Sequence, residues 1–183
     1  MNSVLIAFEG LPGGGKTTLA KRLAKEINGE YIPEIIETDK FTPNQDEYYI
    51  ESEFQKIDIA KRSSKKFRLL DRNYISMLAY NYGKKENKLE NIYDFLREKF
   101  KEMLEPDLYV YLKIDNIDLC NNRKGIEGRN PVWVDKNNLL KIRDYYEIKL
   151  KTKKNCLAVC VDQCSLDEAY KLIINHIKEK YGR

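Results

Sequence analysis

The stretch Gly10-Leu11-Pro12-Gly13-Gly14-Gly15-Lys16-Thr17 constrains this chain more than any other, because it has the Walker A spacing and stands between a strand-like run and a helix-like one. Ser3 to Phe8 has the length of a buried strand. Lys16 to Ile27 carries apolar residues at helical spacing through Leu19, Ala20, Leu23, Ala24 and Ile27, and Gly29 then stops the pattern. Glycines at such a joint let consecutive amides turn inward around phosphate oxygens, and the helix N-terminus adds a partial positive charge. Lys16 can bridge the β- and γ-phosphates, and Thr17 can place its hydroxyl on Mg²⁺. A triphosphate site is therefore expected from Gly10, Gly13, Gly14, Gly15, Lys16, Thr17 and Thr18.

The rest of the chain alternates in the same way. Strands are expected at Glu30 to Ile32, Phe67 to Leu70, Leu108 to Ile114 and 156–161. Helices are expected at about 45–64, 74–82, 89–104, a short one through Cys120, 135–152, and from Ser165 onward. Five strands alternating with helices predict an α/β chain with the three-layer P-loop NTPase fold, a five-stranded parallel sheet flanked by helices. Ligands of such sheets sit beyond the carboxyl ends of the strands, which directs attention to 9–18, 33–38, 71–76 and 115–131.

Composition sets the outer bounds. With 183 residues and 42% hydrophobic content the chain can bury one core, so 1–183 is expected to be a single domain. A net charge of +4 with charges scattered along the chain favours a small anion and argues against nucleic acid as a partner. The apolar run before Glu9 is too short for a signal segment or a membrane span, so a cytoplasmic protein is expected. Cys156 and Cys160 lie in an apolar run that reads as a buried strand, and all four cysteines are taken as structural thiols, with no metal assigned to them.

Three classes of triphosphate enzyme compete. A GTPase switch needs Asp three residues before a glycine, and none of the nine glycines has one. A motor or remodelling ATPase usually ends a hydrophobic strand in Asp-Glu, whereas here the third strand ends Leu69-Leu70-Asp71-Arg72. An acid followed by arginine suits a kinase: Asp71 can hold Mg²⁺ while the Arg72 guanidinium neutralises charge on an acceptor oxygen or a transferring phosphoryl group. ATP and Mg²⁺ are the expected cofactors, with Thr17 and Asp71 on the metal.

Over nearly its full length the chain resembles the deoxynucleoside kinase and thymidylate kinase group. Pro33-Glu34, Phe54-Gln55 followed by Arg62, Asp71-Arg72, and Arg123-x₅-Arg129 with Gly128 resemble deoxynucleoside kinase elements in the right order. Phe8-Glu9-Gly10, Lys16-Thr17-Thr18 and Asp71-Arg72-x₃-Ser76 are similar to the thymidylate kinase side. The resemblance implies that Glu34 takes the proton of a 5′-hydroxyl, that Gln55 and Arg62 contact the base, and that Arg123 and Arg129 belong to a mobile lid at about 123–131 that grips phosphates. Lys16, Glu34, Asp71, Arg72, Arg123 and Arg129 are thus the expected catalytic set, and Glu34, Gln55, Arg62 and Arg72 the acceptor set.

The chain departs from the thymidylate kinase pattern by having Pro12 where an acid usually stands in the P-loop, and Pro33 and Ile35 where an arginine usually flanks the glutamate. Both missing residues normally handle a monophosphate. The expected reaction is transfer of the γ-phosphate of ATP to the 5′-hydroxyl of a (deoxy)nucleoside. The alternative is a thymidylate-kinase-type enzyme acting on dTMP, followed by a kinase of another small metabolite and by a nucleotide-binding module without turnover. The partner is a small-molecule nucleoside or nucleotide, with no membrane, and homodimerisation is left open.

Overall fold

The computed structural model describes residues 3–35, 45–84, 103–124 and 130–182. Five strands, β1 (Val4–Gly10), β2 (Glu30–Ile32), β3 (Phe67–Asp71), β4 (Leu108–Lys113) and β5 (Cys156–Cys160), form one sheet in the order β2-β3-β1-β4-β5. Every pairing is parallel. All seven residues of β1 are buried, as its central place requires, and all five of β3. The helices are α1 (Lys16–Glu26), α2 (Gln45–Arg62), α3 (Tyr74–Gly83), α4 (Asp118–Lys124), α5 (Lys136–Lys151) and α6 (Leu166–Tyr181), with a 3₁₀ turn at Pro131–Trp133.

Local chemistry sets these boundaries. Asn73 caps α3 by accepting from Ile75 N, and Asp135 caps α5 by accepting from Asn138 N. Ser165 and Glu168 close a capping box on α6. The core is continuous from α1 through the sheet to α5 and α6, with Phe8, Leu19, Leu23, Leu69, Tyr109, Tyr146 and Ile173 among its members.

The parallel sheet and its five strands agree with the sequence reading, except in the burial of the fifth strand. The helix expected at 89–104 lies outside the described residues except at 103 and 104, which are not helical. The strand at 156–160 is not a buried one: only Val159 is buried, because β5 is at the sheet edge and pairs on one side alone. Its cysteines are accordingly half-buried, whereas Cys120 is fully buried; all four are free thiols.

The order of strands places the chemistry. β1 and β3 are neighbours with Phe8 opposite Asp71, so the acid ending β3 arrives beside the glycine loop that follows β1. Chain connections diverge here, β1 feeding the β2 side and β3 feeding β4, which opens a crevice at the carboxyl edge.

Candidate active site

Gly10 has φ +133°, and a Cβ there would lie 2.4 Å from Leu112 O of β4, so only glycine permits the turn out of the sheet. Gly15 caps α1 with φ +83° and offers no side-chain acceptor, and the first turn of α1 has no acid. The amides at the start of α1 are therefore left for an anion. Lys16 is buried beneath them, donating from Nζ to Leu11 O at 2.7 Å. Burial, then the neighbouring Arg72 cation, lower its pKa to about 7, against the pull of Glu34, Asp71 and Glu9.

Asp71 is clamped on one oxygen only. Its Oδ2 accepts from Thr17 Oγ1 at 2.6 Å and from Tyr31 OH at 2.9 Å. Its Oδ1 is buried with no hydrogen-bond partner. A carboxylate oxygen left bare at this depth is costly, and a divalent cation satisfies it; Asp71 and Thr17 are thus a donor set of the hard-oxygen kind that Mg²⁺ takes.

Arg72 follows with φ +67°, a left-handed conformation costing an L-residue about 1–2 kcal/mol. The turn holds because Arg72 N donates to Phe8 O at 3.0 Å and Arg72 O accepts from Lys56 Nζ at 2.7 Å. Its Nη1 donates to Gly10 O at 2.9 Å, Ser76 Oγ at 3.0 Å and Tyr146 OH at 3.1 Å. Its Nε meets Glu34 Oε1 at 2.8 Å as an ion pair too bent to be a hydrogen bond. Burial works against the arginine's charge, and Glu34, Tyr146, Glu9 and Asp71 together outweigh it, raising its pKa.

Glu9 supports this arrangement from below. It is wholly buried, accepting from Asn73 N at 2.7 Å and from Ser76 Oγ at 2.5 Å. Burial raises its pKa to about 7, although Ser76, Arg72 and Asn73 favour the carboxylate.

Two recesses border these residues. One is lined by Gly13, Gly14, Gly15, Arg123, Val161, Cys164, Ser165 and Leu166, along the P-loop glycines. Arg123 is held there by Nη2 donating to Val161 O at 3.1 Å. The other, of about 590 Å³, is lined by Glu34, Ile35, Tyr49, Glu53, Arg72, Asn73, Ser76, Met77, Tyr80 and Trp133. Tyr80 and Trp133 form its aromatic wall with ring centroids 5.4 Å apart.

The structure thus brings Lys16, Thr17, Asp71, Arg72 and Glu34 together and places Arg123 beside the glycines; Thr18 is exposed at the start of α1. Gly128 and Arg129 lie outside the described residues. Gln55 and Arg62 do not line the recess that holds Glu34 and Arg72. Arg62 has a side chain 84% exposed and paired loosely with Asp58 at 3.9 Å, and Gln55 is half-buried. The α2 face toward the recess is that of Tyr49 and Glu53, one turn apart. Sequence reasoning missed Tyr31, Glu53, Lys56 and Tyr146. For Glu53 and Lys56 a signal existed, since both share a helical face with Ile57 and Ala60.

Elsewhere, Asp115, Cys160 and Asp162 gather within 4.8 Å. Their polar atoms are spent on one another, on Lys113 and on the amides of Asp115 and Asn116. Among the described residues no helix is long and apolar enough to cross a membrane.

Comparison with known proteins bears on this geometry. No family profile matches the chain. A "Probable thymidylate kinase" of Methanocaldococcus jannaschii is 26% identical, the alignment covering 97% of each protein. Among solved structures, thymidylate kinase from Candida albicans superposes with a TM-score of 0.78 at 19% identity, covering 97% of this chain and 92% of that one. Deoxyadenosine kinase from M. mycoides with bound dATP gives 0.73 at 17% identity, covering 95% and 99%. This is the fold of the thymidylate and deoxynucleoside kinase group of P-loop kinases. The resemblance read from the sequence holds at that level, and Asp71-Arg72, with Ser76 beneath the arginine, lies beside the P-loop in that fold.

Proposed function

We propose that this P-loop kinase transfers the γ-phosphate of ATP, with Mg²⁺, to the 5′-hydroxyl of a (deoxy)nucleoside. The observation that carries the reading is the charge of the acceptor recess. Among its described lining residues Arg72 is the one cation, already paired with Glu34, and Glu53 is a second carboxylate. An uncharged hydroxyl fits such a wall better than a phosphate dianion does.

In this reading the acceptor 5′-oxygen attacks Pγ, the bond from Pγ to the β,γ-bridging oxygen breaks, ADP leaves, and the hydroxyl proton passes to Glu34. Lys16 holds the β- and γ-phosphates, Arg72 offsets charge on the transferring group, and Arg123 with Arg129 close the lid at about 123–131 over the donor. Thr17 and Asp71 would hold Mg²⁺, which when bound neutralises phosphate oxygens. Proton transfer comes late in a loose transition state, so Glu34 needs no raised pKa.

The thymidylate-kinase-type reaction on dTMP is the second reading, favoured by the archaeal relative and by Asp71-Arg72-x₃-Ser76. A panel of nucleosides and monophosphates with Mg·ATP, scored by ADP release, separates the two. Nucleosides should be the better substrates, and monophosphates alone would promote the second reading.

A further inference from the structure

Hydrogen bonds and an ion pair hold the Arg72 side chain along its edges, and one face of it is covered as well. Its guanidinium carbon stands over the ring of Trp133, the single tryptophan of the chain, 5.1 Å from the ring centroid. At that separation a guanidinium is attracted to an indole face, and because Arg72 is buried, water weakens the attraction little. Partners that accept hydrogen bonds lie near the guanidinium plane and resist its sliding, whereas a ring stacked on the face resists its tilting.

Trp133 is itself fixed from several sides. Its amide donates to Asn130 O at 2.9 Å within the 3₁₀ turn, and the Asn130 side chain accepts from Val132 N at 3.0 Å while donating through Nδ2 to Tyr80 OH of α3 at 2.9 Å. From α4, Asn121 Nδ2 donates to Val134 O at 2.9 Å. The chain then enters α5 at the Asp135 cap, and α5 supplies Tyr146, which also holds Arg72.

We infer that Trp133 is a positioning residue for phosphoryl transfer, its ring face holding the Arg72 guanidinium in the orientation in which it meets the transferring group. The inference rests on the role of Arg72 in the reaction proposed above and holds for a nucleoside or a monophosphate acceptor alike. A loose transition state spreads charge over the equatorial phosphoryl oxygens, so a guanidinium free to tilt loses more of its effect there than in the ground state. Trp133 thus acts on kcat through Arg72.

Because the chain has one tryptophan, a mono- or tetrafluorinated tryptophan introduced in its place withdraws electron density from this ring alone at nearly constant shape. Rates with Mg·ATP are measured on whichever acceptor of the panel above is turned over fastest, in these proteins and in Trp133→Phe and Trp133→Leu. kcat should fall stepwise with fluorination, by about tenfold for the tetrafluorinated ring and at least that for Trp133→Leu, with Trp133→Phe in between. ATP affinity and acceptor KM of the fluorinated proteins should stay within about threefold of wild type. Melting temperature should fall with fluorination when Arg72 is present and not in Arg72→Met, which reads the contact apart from turnover. A kcat indifferent to fluorination overturns the inference even if Trp133→Leu does not fold, and so does an equal drop in melting temperature in both backgrounds. If Arg72→Met keeps the wild-type kcat, the role given to Arg72 in the proposed reaction fails and takes the inference with it. A kcat lost in Arg72→Met but insensitive to fluorination overturns the inference alone.

Discussion

Arg72 and Glu34 meet at 2.8 Å, joining a buried guanidinium to a carboxylate that is 44% exposed at the rim of the acceptor recess. The arginine is held from behind by Gly10 O, Ser76 and Tyr146, so the glutamate is oriented by a fixed cation. Glu34→Gln keeps the shape and removes the proposed base. It is expected to lower kcat about 10²-fold or more while leaving the affinity for ATP, measured by calorimetry, within about threefold. A comparable loss in ATP affinity would mean that Glu34 serves the donor side.

Lys16 gives a prediction in pH. Without ligand its pKa is lowered to about 7, so above that pH most of it is neutral. A polyphosphate beside it favours the ammonium, and binding must then draw a proton from solution. Calorimetry of ADP binding at pH 8 in buffers of different ionisation enthalpy should show net proton uptake, absent in Lys16→Met, and affinity should weaken as pH rises above about 7. Equal uptake in wild type and variant would contradict this. Lys16→Ala should also leave under a tenth of the kinase activity.

Tyr31 tests the metal end. Its hydroxyl shares Asp71 Oδ2 with Thr17 and so presents the bare Oδ1 for a cation. Tyr31→Phe loosens that orientation and should raise the Mg²⁺ concentration needed for half-maximal ADP binding by about tenfold, with metal-free ADP binding unchanged. An equal effect on metal-free binding would make the tyrosine a packing residue only.

Arg62 supplies a contrast. With its side chain 84% exposed and Asp58 at 3.9 Å, Arg62→Ala should change stability by no more than about 0.5 kcal/mol and leave the acceptor KM within twofold. A tenfold rise in KM restores the base-reading role that the sequence resemblance implies.

These contrasts mark how far the sequence could be read. The P-loop and Asp71-Arg72 were legible because local spacing and strand ends define them, and parallel pairing of β1 with β3 was enough to join them. The acceptor wall was not. It depends on the rotation of α2 about its axis, and a rotation that turns Tyr49 and Glu53 inward leaves Arg62 in solvent. Lys56 and Glu53 share a helical face with Ile57 and Ala60, which signals their burial, but that they cancel each other's burial cost shows only in three dimensions. β5 failed for a related reason: an apolar run tells of strand formation, while edge or centre is decided by topology.

In the proposed reaction the acceptor is a hydroxyl and not a phosphate. Equimolar thymidine and dTMP, one isotopically labelled, are incubated with Mg·ATP in a single tube and the products resolved by mass spectrometry. Labelled thymidine is expected to appear as its 5′-monophosphate faster than dTMP appears as dTDP. Accumulation of dTDP with thymidine untouched would contradict it.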